Sequence, residues 1–261
     1  MNVTRLLPAL LFAALAGCAT APQGPSATAV AQLAPTGSVR VALLMTNPNF
    51  VTVSPGGEVG GVSVEIGKAI AARAGKSFEG VRYNSIVDIL KDAGANKWDV
   101  AMMGIEPDRR AAVELSNPVF VTENTYLVPA GSALMTIRDV DRSGVVVTVA
   151  ERSAQHNYLK DNLKDAKLVA TKATTDAAAQ VAAGQAQAMA ANRSTLEELA
   201  GKMPGSRVLA GSYSLVTIGM GVPKGRAEAA ALVDDVLREM RANGAIASAV
   251  KRANLKGVIV P

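Results

Sequence analysis

Short β-rich runs alternate with helical patterns twice along this chain. Such alternation restricts a fold to largely parallel sheets with helices on both faces. In the first series, residues 39–44 read as a buried strand. Residues 65–74 follow as a helix, with Ile66, Ala69, Ile70 and Arg73 at helical spacing and Gly75 just past its end. Strands are expected over 78–83 and 98–103, with a helix over 86–91 between them. The second series starts at Gly144 with strand 145–149, helix 154–163 and strand 167–170. Helix 175–183, strand 186–190 and helix 195–200 continue it. Strand 216–222 and two helices, 227–241 and 245–253, close the chain. Two such series in 261 residues predict two lobes.

Ahead of the first strand the chain changes character. Arg5 precedes an apolar stretch, residues 6–15, which runs into small residues and the single cysteine, Cys18. That is the layout of a secretory signal, and its apolar core is too short to span a bilayer as a helix. Leu15-Ala16-Gly17-Cys18 resembles a bacterial lipobox, in which the cysteine is lipidated and becomes the first mature residue. The sequence has no second cysteine to form a disulfide with it. Residues 1–17 are therefore expected as a lipoprotein signal peptide. Residues 18–37, rich in Ala, Pro, Gly, Ser and Thr, read as a flexible tether. The resemblance implies a periplasmic, membrane-anchored lipoprotein. The residues do not choose between the inner and the outer membrane.

Composition narrows the partners. The net charge of +5 comes from scattered basic residues, and the nine aromatics provide no stacking platform for single-stranded nucleic acid. A solvated surface accounts for the charge, and no nucleic-acid partner is expected. The sequence shows no internal repeat, no metal-ligand spacing and no cofactor motif. A monomer is expected.

The most informative run is Trp98-Asp99-Val100-Ala101-Met102-Met103-Gly104-Ile105-Glu106-Pro107-Asp108-Arg109, continued by Ser116-Asn117-Pro118. Upstream stands Gly57-Glu58-Val59-Gly60-Gly61-Val62-Ser63-Val64-Glu65-Ile66. Downstream stand Val149-Ala150-Glu151-Arg152-Ser153-Ala154, Ala183-Gly184-Gln185-Ala186-Gln187-Ala188 and Gly221-Val222-Pro223-Lys224-Gly225. Together, in this order, they resemble bacterial extracellular solute-binding proteins of family 3, the amino-acid type, over about residues 37–256. The resemblance implies an α/β, two-lobed periplasmic binding protein type II fold. Each lobe would be a mixed, mostly parallel sheet flanked by helices, and a two-strand hinge would join them. Lobe one would comprise 38–126 and 219–261, and lobe two 127–218. The chain would cross near Tyr126-Leu127-Val128 and return near Ile218-Gly219-Met220.

By the same resemblance, Arg109 grips a ligand carboxylate, a role that suits the rigid fork of a guanidinium. Arg110 reads as a surface residue. Ser153 can cap the following helix, worth about 1 kcal/mol, and the resemblance adds a second hold on the carboxylate from the opposite lobe. Gly104 and Ala154 belong to the matched motifs and are counted with the site. Phe50 and Tyr83 fall where the family sets rings against the ligand. Trp98 reads as core, and His156 as a surface residue without a catalytic partner.

Five positions depart from the family pattern, the first being Arg152, where the turn before Ser153 usually has a glycine. Leu44 and Asn192 stand where amino-acid binders place carboxylates for the ligand's ammonium. Asn47 replaces a tyrosine, and Glu106 a threonine. A buried ammonium without a carboxylate partner is costly. Either Glu106 or Glu123 supplies the lost charge, or the ligand carries no ammonium. The function implied is capture of a small organic acid or amino-acid-like ligand in the interlobe cleft, with delivery to an ABC permease and no catalytic residue. A prephenate-type dehydratase on the same fold and a ligand-sensing lipoprotein are the alternatives.

Overall fold

The computed structural model describes residues 24–261. The expected signal peptide and Cys18 lie outside the described residues. The chain opens with helix α1 (Ala27–Leu33) and strand β1 (Ser38–Leu44). A hairpin of β2 (Thr52–Val53) and β3 (Val59–Gly60) leads to α2 (Val62–Arg73), β4 (Ser77–Tyr83), α3 (Ile86–Asp92) and β5 (Val100–Gly104). Short β6 (Val113–Leu115) precedes the long β7 (Phe120–Val128). The second lobe adds β8 (Val146–Ala150), α4 (Ala154–Asn162), β9 (Lys167–Thr171), α5 (Thr174–Ala182), β10 (Ala188–Asn192), α6 (Arg193–Lys202) and β11 (Arg207–Val208). Then β12 (Ser214–Pro223), α7 (Ala227–Ala242), α8 (Ala245–Arg252) and β13 (Val258–Ile259) complete the fold.

The two lobes are built alike. In the first, β4, β1 and β5 run parallel, and β12 closes the set antiparallel to β5. In the second, β9, β8 and β10 run parallel, and β7 closes the set antiparallel to β10. The closing strands β7 and β12 pair with each other, so one hydrogen-bonded path runs through both lobes. Parallel strands covered by helices on both faces must be apolar throughout, and β5 and β10 are buried at every residue. The α/β, two-lobed type II architecture expected from the sequence is borne out.

Two expectations need correction. The crossings sit earlier than the residue pattern placed them. Phe120, Val216 and Ile218 pack in the large core of lobe one, whereas Tyr126, Val128 and Tyr213 belong to a core of lobe two. The chain therefore passes between lobes near residues 121–125 and 214–215. Both strands are continuous there, with no Gly or Pro to mark the change, and Thr122, Asn124 and Thr125 are buried polar residues that interrupt the apolar pattern.

The tether expected over 18–37 also ends early, because α1 is part of lobe one. Ser26 caps it by accepting the Ala29 N–H at 3.0 Å. Ala29 and Leu33 are buried in the lobe-one core, and the helix lies against α7. Gln32 performs a second service: its Oε1 accepts the N–H groups of Glu228 and Ala229 at 3.0 and 3.2 Å, filling the N-terminal cap that Arg226 does not supply. Arg226 in turn reaches the fully buried Asp99, which also takes the Arg40 guanidinium. Ala-rich composition hid this helix, since its apolar face is only two residues wide.

Leu33→Ala tests that assignment. Truncating a fully buried leucine costs about 2–5 kcal/mol, so the variant should show a matching loss of unfolding free energy in urea. Unchanged stability would detach α1 from the core.

Candidate functional site

The carboxyl ends of the parallel strands of both lobes converge on one cleft, the usual ligand position in open α/β sheets. From lobe one come Leu44 at the end of β1, the loop carrying Asn47 and Phe50, and Gly104 at the end of β5. From lobe two come Ala150, Ser153 and Ala154 after β8, Lys172 after β9 and Asn192 at the end of β10. Val216 and Ile218 of β12 form the floor. Of the described residues, none that lines this cleft is Asp or Glu, and its charged side chains are Arg109 and Lys172.

Arg109 lies in a short 3₁₀ turn, Pro107–Ala111, directly after β5, and only 3% of it is exposed. Its Nη1 donates to the Gly104 carbonyl at 2.8 Å and its Nη2 to the Arg152 carbonyl at 3.2 Å, the second bond bridging the lobes. Nε is buried without a partner. Burial pushes the guanidinium below the ordinary arginine value, and the charges of Glu106 and Asp108 oppose that shift. The packing around Gly104 is tight. A Cβ there would stand 3.0 Å from Arg109 Nη1, 3.2 Å from Val216 and 3.6 Å from Ala154 of the facing lobe.

Ser153 caps α4, accepting the His156 N–H at 3.1 Å while its hydroxyl donates to the Ala150 carbonyl at 2.7 Å. Arg152 before it has φ +53°, the left-handed region where the family's glycine would sit without strain. Its carbonyl still reaches Arg109, so the close approach survives the substitution. Gln155, a lining residue with no sequence expectation attached to it, donates to Asn124 Oδ1 at 2.6 Å and ties α4 to the crossing strand.

Asn192 caps α6. The Thr195 backbone N–H can only donate, which turns Asn192 Oδ1 toward it at 3.0 Å, and the Thr195 hydroxyl adds a second bond at 2.9 Å. Nδ2 is thereby aimed across the cleft at Asn47 Oδ1, 3.4 Å away. Asn47 Oδ1 also accepts the Asn49 N–H at 3.1 Å. The acceptors of this amide pair are used up internally, and their remaining groups are donors. Leu44 adds only an aliphatic wall.

Residues 39–254 match the model for bacterial extracellular solute-binding proteins, family 3. The chain belongs to that family. A probable amino-acid ABC transporter periplasmic-binding protein, y4tE of Sinorhizobium fredii, is 25% identical over 77% of this chain and 69% of its own length. The L-arginine-binding protein of Pseudomonas aeruginosa is 24% identical over 79% of this chain and 83% of its own. Among solved structures, a mutant of ArgBP from T. maritima superposes with a TM-score of 0.77 at 23% identity, covering 87% of this chain and 99% of that one. The ancestral amino acid-binding protein AncCDT-1, a precursor of cyclohexadienyl dehydratase, gives 0.74 at 22% identity, covering 85% and 97%. Both structural likenesses establish the fold.

Within this family member, not every residue picked from the sequence reaches the cleft. Phe50 does, tilted against Phe120 at 6.5 Å. Tyr83 does not: its ring joins the lobe-one core and its hydroxyl donates to Asp92 at 3.1 Å, with burial foremost in pushing its pKa up to about 12. Glu106 borders a separate groove with Asp108, Asn157 and Tyr158, where burial raises its carboxyl above the ordinary range against the pull of Arg109. Side chains alternate along a strand, but β5 ends at Gly104 and the turn at Pro107 swings Glu106 away. Glu123 pairs with Arg193 at 2.6 Å beside the crossing. Trp98 is core, its Nε1 donating to the Ile89 carbonyl at 2.9 Å. Lys172 is the lining cation that sequence reasoning missed; it falls in a polar loop that offers no periodic signal.

His156 has a structural task in the first turn of α4. Its Nδ1 accepts the Arg152 N–H at 3.1 Å, which requires the neutral ring. Burial, then Lys160, holds its pKa below 6.5, while Glu151 pulls the other way. The unfolded chain therefore binds this proton more readily than the folded one. The stabilisation is complete above 6.5 and is lost as pH falls through that value toward the lower folded pKa. Urea midpoints should drop between about pH 7.5 and 5.5, and His156→Gln should flatten that slope. Parallel profiles for the two proteins would remove the histidine from the pH response.

Proposed function

We propose that this protein captures a small carboxylate ligand lacking an ammonium group and delivers it to an ABC permease. One observation carries the ligand class: a buried guanidinium with a free Nε faces a cleft whose described lining holds no carboxylate. An anion there receives charge-assisted hydrogen bonds from Arg109, with Asn192 Nδ2 and the turn at Ser153 as contributors from lobe two. A cationic group would meet Leu44 and amides already committed as donors. Phe50, Met103 and Ile218 supply the apolar wall. The relatives named for amino acids and for L-arginine support the binding role and the transporter partnership; the cleft departs from an ammonium-binding one at Leu44 and Asn192. The dehydratase alternative requires a tuned acid or base at the ligand, and of its two candidates Glu106 borders a separate groove and Glu123 pairs with Arg193.

The protein is further proposed to be a monomer tethered in the periplasm through lipidated Cys18. Cys18→Ala should then move it from the membrane to the soluble periplasmic fraction, and a variant that stays on membranes after a carbonate wash would refute the anchor.

Arg109→Lys keeps a charge but loses the fork, and should weaken carboxylate binding by at least about 2 kcal/mol. Arg110→Ala should leave affinity unchanged, and equal effects from the two would remove the clamp. Titration calorimetry on ligand-stripped protein should find lysine and arginine weak or non-binding. A Kd below about 1 µM for either would restore an ammonium site and overturn the ligand class.

A further inference from the structure

We propose that the ligand is a dianion, a small dicarboxylate, and that Lys172 is the specificity-determining residue for its second acidic group. This rests on the carboxylate reading of the same cleft and extends it to the far end of the ligand. The two charged side chains in the lining have the same sign and stand on different lobes: Arg109 follows β5 and Lys172 follows β9. Among the described residues, Lys172 forms no ion pair within 4.0 Å. Two carboxylates belong to neighbouring turns, and neither lines the cleft: the Glu151 N–H donates to the Thr171 carbonyl at 2.7 Å, and Asp176 Oδ2 accepts the Ala173 N–H at 3.2 Å as the cap of α5.

A monocarboxylate on Arg109 would satisfy one cation and leave the other facing it across the cleft. A dicarboxylate satisfies both and changes the electrostatics of closure. Like charges on opposing walls resist approach, and one anion at each end of a bound molecule turns that resistance into attraction between the lobes. The neutral polar lining fits the same ligand. Asn192 Nδ2 is a donor, and the Asn47 carbonyl is already occupied by two donors. The apolar wall of Phe50, Met103 and Ile218 suits a short methylene chain between two carboxylates.

Calorimetry on ligand-stripped protein with paired probes tests this: malonate, succinate, glutarate and adipate against monocarboxylates of the same chain length. The best dicarboxylate should bind at least about tenfold tighter than its monocarboxylate partner. Lys172→Met should abolish that advantage, while Lys172→Arg should retain it. Exposed on the cleft rim, Lys172 can be replaced without disturbing the core. Equal binding of mono- and dicarboxylates, with Lys172→Met moving neither, would overturn the dianion and leave the Arg109 clamp standing. Failure of every acid to bind wild-type protein would overturn both.

Discussion

A guanidinium almost wholly removed from water, with carbonyls in place of a carboxylate, governs this cleft. Moving a cation out of water costs several kcal/mol unless a counter-charge replaces the lost solvation. Arg109 receives only partial replacement, from the carbonyls of Gly104 and Arg152 and the more distant charges of Glu106 and Asp108. Other features follow from holding it there. Gly104 lacks a Cβ because one would crowd Nη1, and Ala154 is small because it faces the same spot from the other lobe. The turn before α4 places the Arg152 carbonyl on the guanidinium.

The same residue couples binding to lobe geometry. Two continuous strands cross between the lobes, and β13 pairs with β7 beside the crossing, at Thr122 and Val121. Across the cleft, by contrast, the lobes meet through few contacts: Arg109 to the Arg152 carbonyl, Asn192 to Asn47, Asn157 to Asp108, and Ala154 against the lobe-one core. Hydrogen bonds of this kind exchange readily with water and contribute about 1 kcal/mol each. Opening the cleft therefore disrupts little, while each lobe keeps its own apolar core. An anion that engages donors of both lobes adds a term that exists only when they are together, which is the requirement for ligand-driven closure.

The parts of the fold legible in the sequence are those where one physical rule acts alone. Buried parallel strands announce themselves by the apolar runs 41–44 and 100–103, each preceded by a single charged residue, Arg40 and Asp99, and α7 by its period and the Asn243-Gly244 stop. Legibility fails where rules compete. The crossing in β7 buries Asn124 and Thr125, so polarity there marks a hinge and not a surface. In α1, two apolar residues suffice because α7 lends it a groove and needs Gln32 as its cap. At the site, Arg109, Asn192 and Phe50 were expected from the family resemblance alone, and all three line the cleft. Tyr83 and Glu106 do not: one side chain's direction was settled by Asp92, the other's by the turn at Pro107. Lys172 lies in a loop whose orientation only the assembled lobe defines.

Arg152 shows how the chain keeps a geometry while changing the residue that usually permits it. A left-handed conformation costs a non-glycine residue about 1–2 kcal/mol, and three local bonds offset the strain. The Arg152 N–H is taken by His156, Ser153 caps the same turn, and the Arg152 carbonyl accepts from Arg109. The first two are made within α4 and do not depend on the lobes being closed. The third spans them. Backbone strain at the turn is thus tied to lobe closure through one carbonyl and to solution pH through one imidazole. A glycine at this position would remove the strain and keep both links, because each is made by a main-chain group.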